Sequence, residues 1–175
     1  MAMAAISLAD LNHTDRAGFV AALGHLFEKT PAIVAQAWDE QRPFPTLETL
    51  YSALIETMNA LDYEAKLALI RAHPDLAGRA AIAGELTAES AREQASARLD
   101  QLSPAEFERF HQLNNSYHQR FGFPFIICVR EQTKASILSE FERRLANQHD
   151  QEINTALIEI GKIARLRLFD SVTED

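Results

Sequence analysis

Along most of this chain apolar residues recur every three to four positions, the spacing that puts them on one face of an α-helix. Phe19, Leu23, Leu26 and Phe27 mark the first such face, with Asn12 or Thr14 as its cap. Pro31 suits the first turn of a second helix through about Trp38, where a missing N–H costs nothing. Residues 41–46, QRPFPT, break the pattern, and Leu47, Leu50, Leu54, Met58 and Leu61 resume it. A fourth helix runs from near Asp62 to Ala72, burying Leu67 and Ile70, and Pro74 ends it. Residues 73–87 hold Gly78 and Gly84 and read as irregular; Ser90 then begins a helix to about Leu102. Ser103-Pro104-Ala105-Glu106 is a helix start, with a capping Ser, Pro at the first position and Glu at the third. Phe107, Phe110, Leu113 and Tyr117 form its buried stripe, and Gly122 sits just past its end. The run FPFIICV from Phe123 has a strand's composition but no partner strand, so an extended loop is expected. Ile137, Phe141 and Leu145 mark the next helix; Ile153, Leu157, Ile160 and Ala164 mark the last, to about Phe169. The sum is an all-α bundle of about eight helices in a single domain, residues 1–175.

Composition narrows the functional classes. Apolar residues are 47% of the 175 and charged residues 24%, which excludes a disordered chain. No apolar run approaches the ~18–20 residues of a membrane span. The net charge of −8 argues against nucleic acid and against anionic membrane surfaces. The single Cys128 excludes an intrachain disulfide and a cysteine-based zinc cluster. The first residues show neither a basic region nor the apolar stretch of a secretory signal, and SVTED is no peroxisomal address, so a cytoplasmic location is expected.

Three segments could carry chemistry. His73 follows a helix end, where the dipole favours an imidazolium, and Pro74 holds it in extended backbone. Asp75 could orient one ring nitrogen, an arrangement that suits a general acid or base; the plainer reading is a His that caps the last carbonyls. Ser90-Ala91-Arg92-Glu93-Gln94 reads as a capping box, but the same helix start would attract a carboxylate or polarised carbonyl, and the two readings are compatible. Phe121-Gly122-Phe123-Pro124-Phe125-Ile126-Ile127 would ordinarily be core, yet its non-helical amides must find partners, and a flat polar ring stacked on Phe would supply them. His111 and His118, seven apart with Asn114 between, hint at a metal, but no further ligand spacing supports one. No nucleotide loop or serine-hydrolase elbow occurs, and none of the lysines (29, 66, 134, 162) lies in the three segments, which lowers a Schiff-base mechanism.

In series, RAHPDLAGRAAIAGELTAESAREQ, FHQLNNSYHQRFGFPFIICVR and ALIEIGKIARLRL resemble the 2-oxo-4-hydroxy-4-carboxy-5-ureidoimidazoline (OHCU) decarboxylase family over about residues 10–170. The resemblance implies an all-α fold, a homodimer, no cofactor and no metal, and the step that releases CO2 from this ureidoimidazoline to give (S)-allantoin in urate breakdown. It places the catalytic histidine on His73 and its acidic partner on Glu93. It places substrate contacts on Pro74, on Ser90, Ala91, Arg92, Glu93 and Gln94, and on Phe123, Pro124, Phe125, Ile126 and Ile127. One departure stands out: the family's AGL-type triplet is here Ala97-Arg98-Leu99, a bulky charge for a small residue, which questions local helix packing. The chemistry implied needs no electron sink from the protein, because an imine beside the departing carboxylate accepts the electrons. The competing readings are a non-catalytic helical module that binds a small acid or a protein, and a metal-dependent hydrolase using His73, His111 and His118.

Overall fold

The structure, a computed structural model, describes residues 5–174. Ten α-helices follow one another among them: α1 (Leu8–His13), α2 (Arg16–Leu23), α3 (Ala32–Gln41), α4 (Leu47–Ala60), α5 (Tyr63–Arg71), α6 (Arg79–Ala83), α7 (Ala88–Ser96), α8 (Pro104–Phe121), α9 (Lys134–Arg144) and α10 (His149–Ser171). The only strands among the described residues are β1 (Ile6–Ser7) and β2 (Val172–Thr173), paired in parallel. The class is therefore all-α, as the periodicity requires. The chain forms two compact units, one of residues up to Ala72 with those from Gly161 on, the other His73–Ile160.

In the first unit α2 packs on α3 and α3 on α4. Phe19 of α2 lies 4.9 Å from the Trp38 ring and 5.7 Å from Phe44. The cap of α2 is Asp15, whose carboxylate accepts the Gly18 N–H at 2.8 Å, rather than Asn12 or Thr14. Asn12 instead pins the proline-flanked break, because its side-chain amide donates to Phe44 O at 2.8 Å and accepts Phe44 N–H at 2.9 Å. Pro31 stands one residue before α3, at its cap position. Asp62 caps α5 as the pattern predicts.

In the second unit α8 follows its local signals closely. Ser103 accepts the Glu106 N–H, and the Glu106 carboxylate accepts the Ser103 N–H at 2.8 Å. That bond, with Lys134 beside it, holds the Glu106 carboxyl below the ordinary glutamate range. Gly122 takes φ +75°, the left-handed conformation that closes the helix. The segment from Phe123 to Cys128 is buried loop, followed by a 3-10 turn at Val129–Glu131.

Helix α7 departs from expectation at both ends. Thr87, not Ser90, is its cap, so Ser90 is the third helical residue and Glu93 lies in the second turn. The capping box expected of Ser90 and Glu93 therefore does not form. The helix stops at Ser96 instead of continuing to Leu102. Leu99 N–H bonds back to Gln94 O at 3.0 Å and Arg98 N–H to Ala95 O at 2.9 Å, the paired bonds of a Schellman ending. Arg98 occupies the left-handed position of that motif, at φ +59°, and its side chain is exposed. The departure from a small residue at 98 thus bears on backbone conformation, not on packing.

Candidate functional site

The residues singled out from the sequence all lie in the second unit, His73–Ile160. His73 is buried at the start of a turn whose residues Asp75, Leu76 and Ala77 are held by side chains of α7 and α8. Asp75 Oδ1 pairs with His118 Nε2 of α8 at 2.7 Å, so its carboxylate serves α8 instead of orienting His73. Leu76 O accepts Asn114 Nδ2 of α8 at 2.8 Å. Ala77 sits at φ +51°, left-handed for a residue with a side chain, and donates its N–H to Gln94 Oε1 at 3.0 Å. Gln94 Nε2 donates to Asp75 O at 3.3 Å. Gly78 closes the turn where a Cβ would stand 2.8 Å from that of Asp75.

Gln94 therefore bridges two backbone groups of the His73 turn, and it follows Glu93 directly on α7. Ser90, Glu93 and Gln94 are three and four residues apart, the spacing of one helix face; Ser90 and Gln94 are buried and Glu93 is half-buried. Arg92 instead points outward, 3.5 Å from Glu89 with most of its side chain in solvent. A cavity of about 480 Å³ opens beside α7, lined by Ala91 and Gln94 among mostly apolar neighbours such as Leu99 and Phe107.

The third segment reaches the same helix, because the 3-10 turn that follows it packs on α7. Its side chains belong to the core. Phe125 stacks on Phe141 at 3.7 Å, and Phe123 is enclosed by Phe121, Tyr117 and His149. The aromatic wall expected for a flat ligand is thus turned into the protein. What the segment offers is main chain: among the described residues the N–H groups of Phe125, Ile126 and Ile127 meet no backbone or side-chain acceptor. Its path is fixed from behind. Arg144 Nη1 donates to Ile126 O at 2.7 Å, and Glu159 accepts the Cys128 N–H at 2.8 Å.

Arg144 belongs to a buried network that the sequence pattern did not reveal. Its guanidinium meets the Glu152 carboxylate at 2.9 Å and lies 4.3 Å over the Phe125 ring. Tyr117 Oη and Asn147 Nδ2 also donate to Glu152. Burial, then the bond to Glu152, pushes the Tyr117 phenol well above its ordinary value. Arg144 was legible in principle, since it lies three residues after Phe141 on the inward face of α9.

The histidine pair on α8 does not assemble a metal site. His118 binds Asp75, His111 stacks on Phe107 at 6.3 Å, and no group of three or more metal-ligating side chains occurs among the described residues. No helix among them is long and apolar enough to cross a membrane.

A family model described as OHCU decarboxylase matches residues 12–169. A protein of Halalkalicoccus jeotgali named 2-oxo-4-hydroxy-4-carboxy-5-ureidoimidazoline decarboxylase is 40% identical over 166 residues, 95% of this chain and 92% of its own. One of the same name from Mus musculus is 42% identical over 165 residues, 94% of this chain and 92% of its own. A crystal structure of (S)-allantoin synthase superposes with a TM-score of 0.77 at 27% identity; the match covers 96% of this chain and about half, 54%, of that one. With the family model spanning all three segments of the site, and relatives this similar along nearly their whole length, the chain belongs to the OHCU decarboxylase family.

Proposed function

We propose that this chain, as an OHCU decarboxylase, releases CO2 from 2-oxo-4-hydroxy-4-carboxy-5-ureidoimidazoline to give (S)-allantoin, with His73 and Glu93 as its titratable pair. The carrying observation is the Gln94 bridge, which ties the turn bearing His73 to α7 one residue after Glu93. The carbon that loses its carboxylate also bears a hydroxyl and adjoins an imine. As the bond to the carboxylate breaks, its electron pair forms a carbon–carbon double bond and the imine electrons pass to nitrogen, which takes up a proton. The hydroxyl proton then leaves to form the ring carbonyl and a proton is delivered to one face of the former imine carbon, so that one proton is gained for the CO2 lost. His73 and Glu93 supply the two proton-transfer positions, each typically worth ~10²–10⁴-fold. The main-chain N–H groups of Phe125 to Ile127 are donors for the ring's polar edge, and holding the ring there serves orientation. Pro74 and Ser90 complete the contact set. The substrate carries its own electron sink, so the reading assigns no metal or organic cofactor. It also takes the chain as a cytoplasmic homodimer.

Freshly generated OHCU provides the test. Adding the protein should accelerate CO2 release and yield optically active (S)-allantoin in place of the racemate that forms spontaneously. His73→Ala should remove most of that turnover and retain the far-ultraviolet helical spectrum. Racemic product at the spontaneous rate would return the protein to the class of binding modules. Loss of activity on chelation, restored by zinc or manganese, would contradict the mechanism, and a monomer at assay concentration would contradict the dimer.

A further inference from the structure

Asn114 is buried on α8, and half of its side chain is unused. Nδ2 donates to Leu76 O at 2.8 Å, but Oδ1 has no hydrogen-bond partner among the described residues. A buried acceptor left without a donor costs free energy that an apolar side chain of similar size would not incur. Stability alone does not account for an asparagine there; its donor must do something else. That donor grips the middle of a turn that does not hold itself. Ala77, the next residue, is left-handed, a conformation that persists only where the surroundings over-determine it. The surroundings are three side chains from two helices: Gln94 on Asp75 O and Ala77 N–H, His118 on the Asp75 carboxylate, and Asn114 on Leu76 O. His118 and Asp75 are each about a third exposed or more, so their ion pair is screened and weak. Gln94 reaches the turn from the helix of Glu93. Asn114 is the buried grip from the opposite element, α8.

We infer that Asn114 is a positioning residue for His73: by holding Leu76 O it sets where the His73 turn sits relative to α7, and so the alignment of the imidazole with the reacting carbon. The inference rests on the decarboxylase reading above. A group that acts this way contributes to the chemical step rather than to binding, and misplacement of about 1 Å costs up to ~10²-fold.

The experiment is a double-mutant cycle on the full chain with OHCU as substrate. Asn114→Leu removes the donor and the stranded acceptor together; Asn114→Asp keeps the shape and puts a carboxylate where the donor was, so that Leu76 O is repelled and not held. Both should lower kcat by roughly 10–100-fold, with KM changed less than about twofold. Because Asn114→Leu also removes the unpaired oxygen, its melting temperature should stay near that of the parent. In a His73→Ala background neither substitution should lower the residual rate further, since the group they position is gone. Unchanged kcat in a folded variant overturns the inference, and so does an equal loss in the His73→Ala background. If Asn114→Leu does not fold, the same readings on Asn114→Asp decide. Failure of the underlying decarboxylase reading is distinguishable, because the parent protein would then give no turnover above the spontaneous rate, whereas failure of the His73 assignment alone would show as intact turnover in His73→Ala.

Discussion

Replacing Arg98 by glycine should stabilise the protein. Arg98 is at φ +59°, in the position of a Schellman ending that glycine fills at least cost. A left-handed conformation costs a residue with a Cβ roughly 1–2 kcal/mol. Glycine avoids that cost but loses more backbone freedom on folding, roughly 0.5–1 kcal/mol. The net gain is about 0.5–1 kcal/mol, which for a chain of this size raises Tm by ~1–4 °C. Little offsets it, because the Arg98 side chain is exposed and, among the described residues, makes no hydrogen bond or ion pair. The two closing bonds, Leu99 N–H to Gln94 O and Arg98 N–H to Ala95 O, are main-chain and survive the change. Urea unfolding at equilibrium measures the difference, and Arg98→Ala is the control. Alanine removes the charge and bulk of arginine but keeps the Cβ, so its midpoint should match the parent. Glycine no more stable than arginine, or alanine as stabilising as glycine, would refute the backbone account.

Three further outcomes are expected. Glu93→Gln should lower kcat by ~10²–10⁴-fold with little change in melting temperature, because Thr87 and not Glu93 serves the helix start; a normal rate would remove Glu93 from the mechanism. Arg144→Ala leaves the buried Glu152 carboxylate without its cation and should cost ~3–5 kcal/mol by chemical denaturation, while release of Ile126 O raises KM; an unchanged KM in folded protein would disconnect the network from the loop. The folded-state value of Glu106 lies below its ordinary 4.5, so the stability it adds is present above that value and lost as pH falls through the lowered one; Glu106→Gln should therefore cost more near pH ~6 than near pH ~3 when unfolding is compared at both.

Much of the scaffold was legible because its signals are local. Ser103, Pro104, Glu106 and Gly122 delimit α8 by chemistry confined to its two ends, and the structure places all four as their neighbours in sequence predict. Helix α7 was less legible because TAES and SARE offer two overlapping starts, and the choice falls to tertiary structure: starting at Thr87 buries Ser90 and brings Gln94 onto the His73 turn. Helices α1 and α6, of six and five residues, are too short to show a period. The pairing of Ile6–Ser7 with Val172–Thr173 joins residues far apart in sequence through two residues each, which no local pattern announces. In the candidate site, the three segments were evident as residue types, but the direction of their side chains was not. The rings of Phe123 and Phe125 and the Asp75 carboxylate are all committed to neighbours that lie distant in the chain.

The loop from Phe123 to Ile127 divides its labour between side chain and backbone, and this bears on how such a site can change. Its side chains are all committed to the interior, so exchanging one for another is felt as a folding defect before it is felt as altered selectivity. Under the proposed function, the groups that meet the substrate are peptide units, identical whatever residues carry them. Point substitution is therefore a poor route to a new substrate here. Selectivity of this kind is altered by rerouting the chain, through an insertion, a deletion or a changed anchor at Arg144 or Glu159, and libraries built on this scaffold should vary loop length and anchors before loop identity.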